Sequence, residues 1–180
     1  MTELITTVQE KLNEISTEVD AILQKTNLKC PTNCGSCCHS PNVEAMPIEM
    51  LPLAMYASEH GVSATSSKCP FFKPAIGDQN KGRCTVYELR PSICRIFPYG
   101  HSNDKEGKVR WNPCSKMNDQ QAITKMREII SAGEGITYSK AKQELQDIYP
   151  PLSTTMPIND ALIVAKNHIS AKQSFGIDQI

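Results

Sequence analysis

Eight cysteines are the residues of this 180-residue chain whose type and spacing point most directly to chemistry. Four of them fall between positions 30 and 38, and the other four follow at long, unequal intervals. Four thiolates complete a tetrahedral zinc site or hold an iron–sulfur cluster, so we expect all eight to be metal ligands. The predicted ligands are Cys30, Cys34, Cys37, Cys38, Cys69, Cys84, Cys94 and Cys114.

Disulfides are the main alternative use of so many cysteines. The N-terminal residues show neither the basic segment nor the apolar run of a signal peptide, so we expect a cytoplasmic protein. In a reducing compartment such a pattern is more typical of metal binding than of disulfides. Cys37 and Cys38 are also neighbours, with Cα atoms about 3.8 Å apart, whereas a disulfide needs about 4.4–6.8 Å.

The segment from Cys34 to Cys37 has the spacing of a metal-binding knuckle, in which two sulfurs face one ion. Zinc knuckles and iron–sulfur loops share this spacing, so the metal is left open between zinc and iron. The run from Cys30 to Cys38 differs from the ferredoxin run, which weakens a simple [4Fe–4S] interpretation. We therefore expect zinc first, and iron or a [4Fe–4S] cluster as the alternative.

Charge around the cysteines is consistent with an anionic metal centre. Residues 30–116 contain more basic than acidic side chains, and Arg90 and Arg95 each lie within four residues of Cys94. Arginine donors near a metal centre can offset its charge through hydrogen bonds to sulfur, so we expect both arginines beside the ligands. His39 is a weaker candidate ligand, and His60, His101 and His168 are expected to be ordinary polar residues.

The whole chain has a formal net charge of zero, which argues against a dedicated nucleic-acid or membrane-surface binder. It also has no apolar run long enough for a membrane-spanning helix. No residue pattern singles out a catalytic nucleophile, so we expect a binding protein rather than an enzyme.

The elements that must position the cysteines fall in three zones. We expect an amphipathic helix in 1–29, a cysteine-cluster domain in 30–116, and a helical extension in 117–180 that packs on it as one compact unit. The predicted fold is mainly α with a small irregular α+β centre, stapled by metal. The predicted elements are helices over 47–60, 118–131, 138–148 and 159–172, a short helical turn over 88–96, a strand over 84–87 and a hairpin over 105–112.

The first helix carries apolar residues at steps of three and four from Leu4 to Ile22. We expect this stripe to pack on the chain's own core. The alternative is that it binds a protein partner, as a short coiled-coil helix does.

Several segments together resemble one known family. They are the Cys34–Cys38 run, Cys69-Pro-Phe-Phe72, the run from Gly82 through Tyr87-Glu-Leu-Arg-Pro91 to Pro98, and Cys114. They resemble the YkgJ-type cysteine-cluster family, which has a CxxCxxCC signature and is described as zinc- or iron-chelating. The resemblance implies metal chelation, and most members have no assigned reaction. A related cysteine-rich segment occurs in flagellin lysine N-methylases, which implies an alternative as an iron–sulfur enzyme or subunit that transfers methyl groups from S-adenosylmethionine to protein.

Overall fold

The computed structural model describes residues 1–40, 42–64 and 69–176. It is 54% helical, and the described ranges contain six α-helices. They are α1 (Thr2–Thr26), α2 (Leu51–Glu59), α3 (Ser92–Ile96), α4 (Gln120–Ser131), α5 (Tyr138–Ile148) and α6 (Ile158–Ser174). Short 3₁₀-helices lie at Ser36–His39, Ile48–Met50, Tyr87–Leu89 and Pro150–Leu152. The expected class, mainly α with a small β contribution, is confirmed.

Six short strands form three antiparallel pairs in the described part of the chain. They are β1 (Glu44–Ala45), β2 (Phe72–Ala75), β3 (Asp78–Cys84), β4 (Ser102–Asn103), β5 (Val109–Arg110) and β6 (Met156–Pro157). β1 pairs with β6, β2 with β3, and β4 with β5. The β1–β6 pair joins the segment after the first cysteines to the start of α6, which also packs on α2.

Helix α1 runs through the middle of the helical assembly. Its apolar stripe is buried from Val8 to Ile22, and the helix contacts α2, α3, α4 and α5. Because this stripe faces the chain's own core, the expectation of internal packing is confirmed. A protein partner for α1 stays a prediction. No helix in the described ranges has both the length and the apolar character that crossing a bilayer requires.

The β2–β3 hairpin is the largest element that the sequence pattern did not indicate. Its strands pair from Phe72 opposite Cys84 to Ala75 opposite Asp78, with Gly77 at φ 81° in the turn. A positive φ is accessible to glycine because it has no Cβ. The hairpin therefore brings Cys84 beside the segment that follows Cys69.

The predicted strand over 84–87 is wrong beyond its first residue. β3 ends at Cys84, and Tyr87–Leu89 is a 3₁₀-helix. β3 stops there because its partner β2 cannot be extended backwards: Pro70, which precedes β2, has no amide hydrogen for a ladder hydrogen bond. Thr85 instead uses its backbone N–H and its hydroxyl to bind the carbonyl of Phe71, at 2.9 and 3.0 Å.

Candidate metal centre

The knuckle loop, residues 33–39, is held against the β2–β3 hairpin. The N–H of Gly82 donates to the carbonyl of Asn33 at 3.0 Å, and Cys34 forms an isolated bridge with Lys81. A Cβ on Gly35 would lie 2.2 Å from the ring of Phe72, so a larger residue cannot enter without moving that ring. The hairpin thus fixes where the first cysteines sit.

Cys38, at the end of this loop, contacts two other cysteines through its sulfur. The sulfur of Cys38 is in hydrogen-bonding contact with the sulfurs of Cys37 and Cys69, and its single proton can be shared with either. These bonds lower the pKa of Cys37 to about 6 and that of Cys69 to about 7, in both cases against the effect of burial. The same contacts, together with burial, raise the pKa of the donor Cys38. The Cys37–Cys38 pair is therefore in contact with Cys69, which lies more than thirty positions away in the sequence.

Two further cysteines lie within electrostatic range of this trio. Burial raises the pKa values of Cys84 and Cys94, and the charges of Cys69 and Cys37 raise them further. Cys84 is the last residue of β3 and Cys94 lies within α3, so two separate elements deliver them. We call Cys37, Cys38, Cys69, Cys84 and Cys94 the inner group.

The remaining three cysteines are connected through Cys30, which also interacts with Cys37. Burial first, and then contact with Cys34, raises the pKa of Cys30 to about 12. Cys114 also acts on Cys30, which places it within electrostatic range. Burial opposes ionisation of Cys34, but hydrogen bonds from the backbone and side chain of Ser36 lower its pKa overall. We call Cys30, Cys34 and Cys114 the outer group.

The two groups account for all eight cysteines, and each is a free thiol. Within the described ranges, however, no three Cys, His, Asp or Glu side chains form a ready group that could hold a metal ion. The chain therefore brings the sulfurs into two neighbourhoods without converging them on a point. The assignment of the eight as ligands stays a prediction. Free thiolates are nevertheless the donor type that zinc and iron–sulfur clusters take from proteins.

Arg90 faces the inner group. Burial raises the pKa values of Cys84 and Cys94 overall, but the charge of Arg90 opposes that rise, and the same charge adds to the lowering of the Cys37 pKa by Cys38. The guanidinium lies 3.4 Å above the ring of Tyr87, and its Nε donates to the Tyr87 carbonyl at 3.0 Å. This arrangement supplies positive charge where thiolates would accumulate negative charge.

The guanidinium of Arg95 donates to oxygen atoms, although Arg95 directly follows Cys94 in the sequence. Its Nε donates to the carbonyl of Arg90 at 2.6 Å, its Nη1 to the hydroxyl of Ser16 at 2.6 Å, and its Nη2 to the carbonyl of Glu88. Burial lowers its pKa to about 10, and only 4% of the residue is exposed. Arg95 therefore ties α1 to the segment that carries Arg90, and contact of Arg95 with sulfur stays a prediction.

The histidines divide by environment. The ring of His39 packs edge-on against Phe72, with centroids 4.6 Å apart, and its Nε2 is buried without a partner among the described residues. His60 stacks on Tyr56 and hydrogen-bonds its carbonyl at 2.8 Å. His101 is 4% exposed, and neither ring nitrogen finds a hydrogen-bond partner within the described ranges. A buried ring without hydrogen-bond partners among the described residues sets His101 apart from the ordinary polar residue that the sequence suggested.

Glu49 is a site residue that sequence reasoning missed. It is 3% exposed, and its carboxylate accepts the N–H of Met46 at 2.9 Å and the N–H of Ser92 at 2.6 Å. Ser92 begins α3, so the carboxylate fixes the helix that carries Cys94. The sequence did hold a signal: Glu49 stands between apolar neighbours in a predicted helix. An acidic residue is rarely buried there unless it has partners.

The family comparison identifies the cysteine-bearing part of the chain. Residues 29–115 match the family model CxxCxxCC, described as a putative zinc- or iron-chelating domain. No curated protein and no solved structure matches the chain. The matched range begins one residue before Cys30 and ends one residue after Cys114, so it contains all eight cysteines. The segment 29–115 is therefore similar to the CxxCxxCC family, which is described as zinc- or iron-chelating.

Proposed function

We propose that this chain is a metal-binding protein in which the eight cysteines supply the ligands of two metal ions. The single observation that carries the proposal is the assembly of eight free thiols into two neighbourhoods that meet at Cys37 and Cys38. The match of residues 29–115 to the family model supports metal chelation in general. The ligand set and the number of ions are our own assignment.

The proposed division gives four thiolates to each ion. Cys38, Cys69, Cys84 and Cys94 form one set, supported by the sulfur contact between Cys38 and Cys69 and by the burial that the others share. Cys30, Cys34, Cys37 and Cys114 form the other. The Cys34–Cys37 knuckle spacing supports this second set, as do the interactions of Cys30 with the other three.

Ligation requires the thiols to lose their protons and to turn toward a common point. A four-thiolate site with one divalent ion carries two negative charges, so nearby positive charge stabilises it. Arg90 occupies that position for the inner group. Metal binding would then convert a set of hydrogen-bonded thiols into two closed tetrahedra.

Zinc is the metal that we propose first. Two sets of four thiolates satisfy two structural zinc ions without any ligand from outside the protein. An iron–sulfur cluster uses the same donors and is the competing occupant of either set. Such sites are stable as thiolates in a reducing compartment, which is why we propose a cytoplasmic location.

Anaerobic purification of the full chain, followed by elemental analysis and a visible spectrum, tests the proposal. We expect a colourless protein with two zinc ions per chain. C84S and C34S should each reduce the zinc content to about one, because each removes a ligand from a different set. Brown protein with iron and acid-labile sulfide would indicate an iron–sulfur cluster in place of zinc. Protein that neither carries nor takes up metal would refute metal binding.

The resemblance also raised methyl transfer from S-adenosylmethionine. No contact among the described residues favours that reaction specifically, so we do not propose it. The N-terminal helix as a site for a protein partner is likewise not proposed, because its apolar stripe is already buried in the chain's own core.

A further inference from the structure

The segments that carry Cys38 and Cys69 are held together by contacts that do not use sulfur. The N–H of Cys69 donates to the carbonyl of Cys38 at 3.5 Å. The ring of His39 packs edge-on against Phe72, with centroids 4.6 Å apart. Each backbone is also bonded within its own turn, since the N–H of Cys38 donates to the carbonyl of Gly35 at 2.9 Å and the carbonyl of Cys69 accepts the N–H of Phe72 at 3.2 Å. The fold therefore makes Cys38 and Cys69 neighbours through backbone and ring atoms alone.

The geometry of this pair suits a disulfide bond. The two sulfurs are in contact. A disulfide needs Cα atoms about 4.4–6.8 Å apart, and residues of adjacent segments that share a backbone hydrogen bond lie in that range. Both Cys38 and Cys69 are half-buried free thiols, so a small oxidant has access to them.

Two other pairs of cysteines whose sulfurs are in contact suit a disulfide less well. Cys37 and Cys38 are consecutive, and the distance of about 3.8 Å between their Cα atoms is too short. Cys30 and Cys34 also meet through sulfur, but no backbone hydrogen bond joins these two residues within the described ranges. The pair that the fold prepares best for a covalent bond is therefore Cys38 and Cys69.

We propose that a hydroperoxide oxidises this pair to a Cys38–Cys69 disulfide, and that the bond removes one of the two metal ions. Both residues belong to the same proposed ligand set, so the disulfide takes two of its four thiolates. The two that are left are too few to hold a structural zinc ion, whereas the other set keeps all four. The disulfide needs only the two thiols, but its effect on metal content rests on the proposed function.

The oxidation consumes one hydrogen peroxide for each disulfide. The sulfur of one residue attacks a peroxide oxygen, an S–O bond forms and the O–O bond breaks, and the departing hydroxide takes up the thiol proton as water. The second sulfur attacks the resulting sulfenic acid, an S–S bond forms and the S–O bond breaks, and the second hydroxide leaves as water with the second thiol proton. Two sulfurs are oxidised and one peroxide is reduced. In the zinc-loaded protein the thiolates carry no proton, so the buffer supplies both.

Peroxide treatment of the zinc-loaded full chain tests the effect on metal content. We expect about one of the two zinc ions to be released, as a zinc-sensitive dye measures, together with a disulfide link between the tryptic peptides that contain Cys38 and Cys69. A dithiol reductant with added zinc should restore the second ion. Release of both ions together, or of one ion without that link, would overturn the proposal.

The same treatment of protein stripped of metal separates the disulfide from the metal function. The Cys38–Cys69 link should form there as well, and denaturant should abolish its preference over links between other cysteines, since the fold brings the two sulfurs together. A chain that binds no zinc but forms the link would refute the proposed function alone. A zinc-loaded chain that never forms the link would refute the disulfide alone.

C38S and C37S are a matched pair of substitutions at neighbouring cysteines. In the stripped protein C38S should abolish the link to Cys69, whereas C37S should leave its yield unchanged. Circular dichroism before oxidation checks that both variants keep the helical content of wild type. Tandem mass spectrometry of the wild-type link assigns the linked residue without any substitution. A link through Cys37 in the wild-type protein, or equal loss of the link in both variants, would overturn the assignment of Cys38.

Discussion

The buried carboxylate of Glu49 accepts the backbone N–H of Ser92 at 2.6 Å, two residues before Cys94. A second oxygen accepts the N–H of Met46 at 2.9 Å. This carboxylate connects the segment before α2 to α3, which delivers Cys94. The geometry of a proposed metal ligand therefore depends on an acidic residue far away in the sequence.

Removing that carboxylate should destabilise the fold. E49A leaves two N–H groups without their acceptor in the interior, and we expect the free energy of unfolding to fall by about 2–4 kcal/mol. Urea denaturation measures the loss. E128Q, on the exposed face of α4, is the matched control and should change the stability by less than about 0.5 kcal/mol. An E49A protein as stable as wild type would show that the two bonds contribute nothing.

The pH dependence of the Glu49 contribution has a definite sign. Burial, opposed by the Ser92 and Met46 bonds, raises the pKa of Glu49 above its ordinary value of 4.5. A raised carboxyl pKa means that the folded state favours the protonated form, so the contribution is full below about pH 4.5 and declines as the pH rises through the raised pKa. The stability of wild type relative to E49Q, measured by denaturation across this range, should fall as the pH increases. A rise with pH would contradict this assignment.

Two glycines against the β2–β3 hairpin should respond differently to the same second mutation. A Cβ on Gly35 would meet only the ring of Phe72, whereas a Cβ on Gly82 would also lie 2.3 Å from the backbone carbonyl of Lys73. G35A and G82A should each cost about 1–3 kcal/mol by overpacking. F72A should relieve most of the G35A penalty and little of the G82A penalty, as measured in double-mutant cycles. Equal relief of both would show that the ring alone is the obstacle.

Arg95 should be far more sensitive than the exposed arginines. R95M removes three donors from a residue that is 4% exposed, leaves three oxygens without those bonds, and should cost about 2–4 kcal/mol. R95K should recover only part of this, because an ammonium cannot reproduce the planar fork. R127Q, on the exposed surface of α4, serves as the control for loss of charge. Full stability of R95K in denaturant would contradict the contact pattern.

Thiol reactivity in the metal-free protein should follow the contacts among the sulfurs. The Cys38 hydrogen bond first, and the charge of Arg90 after it, hold the pKa of Cys37 at about 6, while that of Cys30 is raised to about 12. Cys37 should therefore be alkylated well before Cys30 at neutral pH, since the thiolate is the reactive form. R90Q should shift the Cys37 pH–rate profile upward, as mass spectrometry of alkylated peptides can show. An unshifted profile would remove Arg90 from the site.

Much of the helical fold was predictable because its signals are local. The steps of three and four in α1 and the bounds of α5 at Tyr138–Ile148 follow from apolar periodicity, with Pro150 ending the second. The β2–β3 hairpin was not predictable from the sequence, since β3 is a polar segment without alternation. Its pairing depends on Gly77 and on packing against the knuckle loop. Glu49 was missed for a similar reason, because its partner Ser92 lies 43 residues away.

The candidate metal site was likewise predictable only in part. The cysteine set was visible as residue type and spacing, and the matched family range contains all of it. Which sulfurs meet could not be read from spacing, because Cys69, Cys84 and Cys94 arrive on three different segments. Arg90 and Arg95 both lie within four residues of Cys94 in the sequence, yet Arg90 acts on the sulfurs and Arg95 binds Ser16.

Protection of individual cysteines by metal shows whether all eight are ligands. The full chain is loaded with zinc, exposed to an alkylating reagent before and after removal of metal by a chelator, and mapped by mass spectrometry. We expect all eight cysteines to be protected in the loaded protein and to become reactive together after chelation. Alkylation of the eight at the same rates in both states would contradict it.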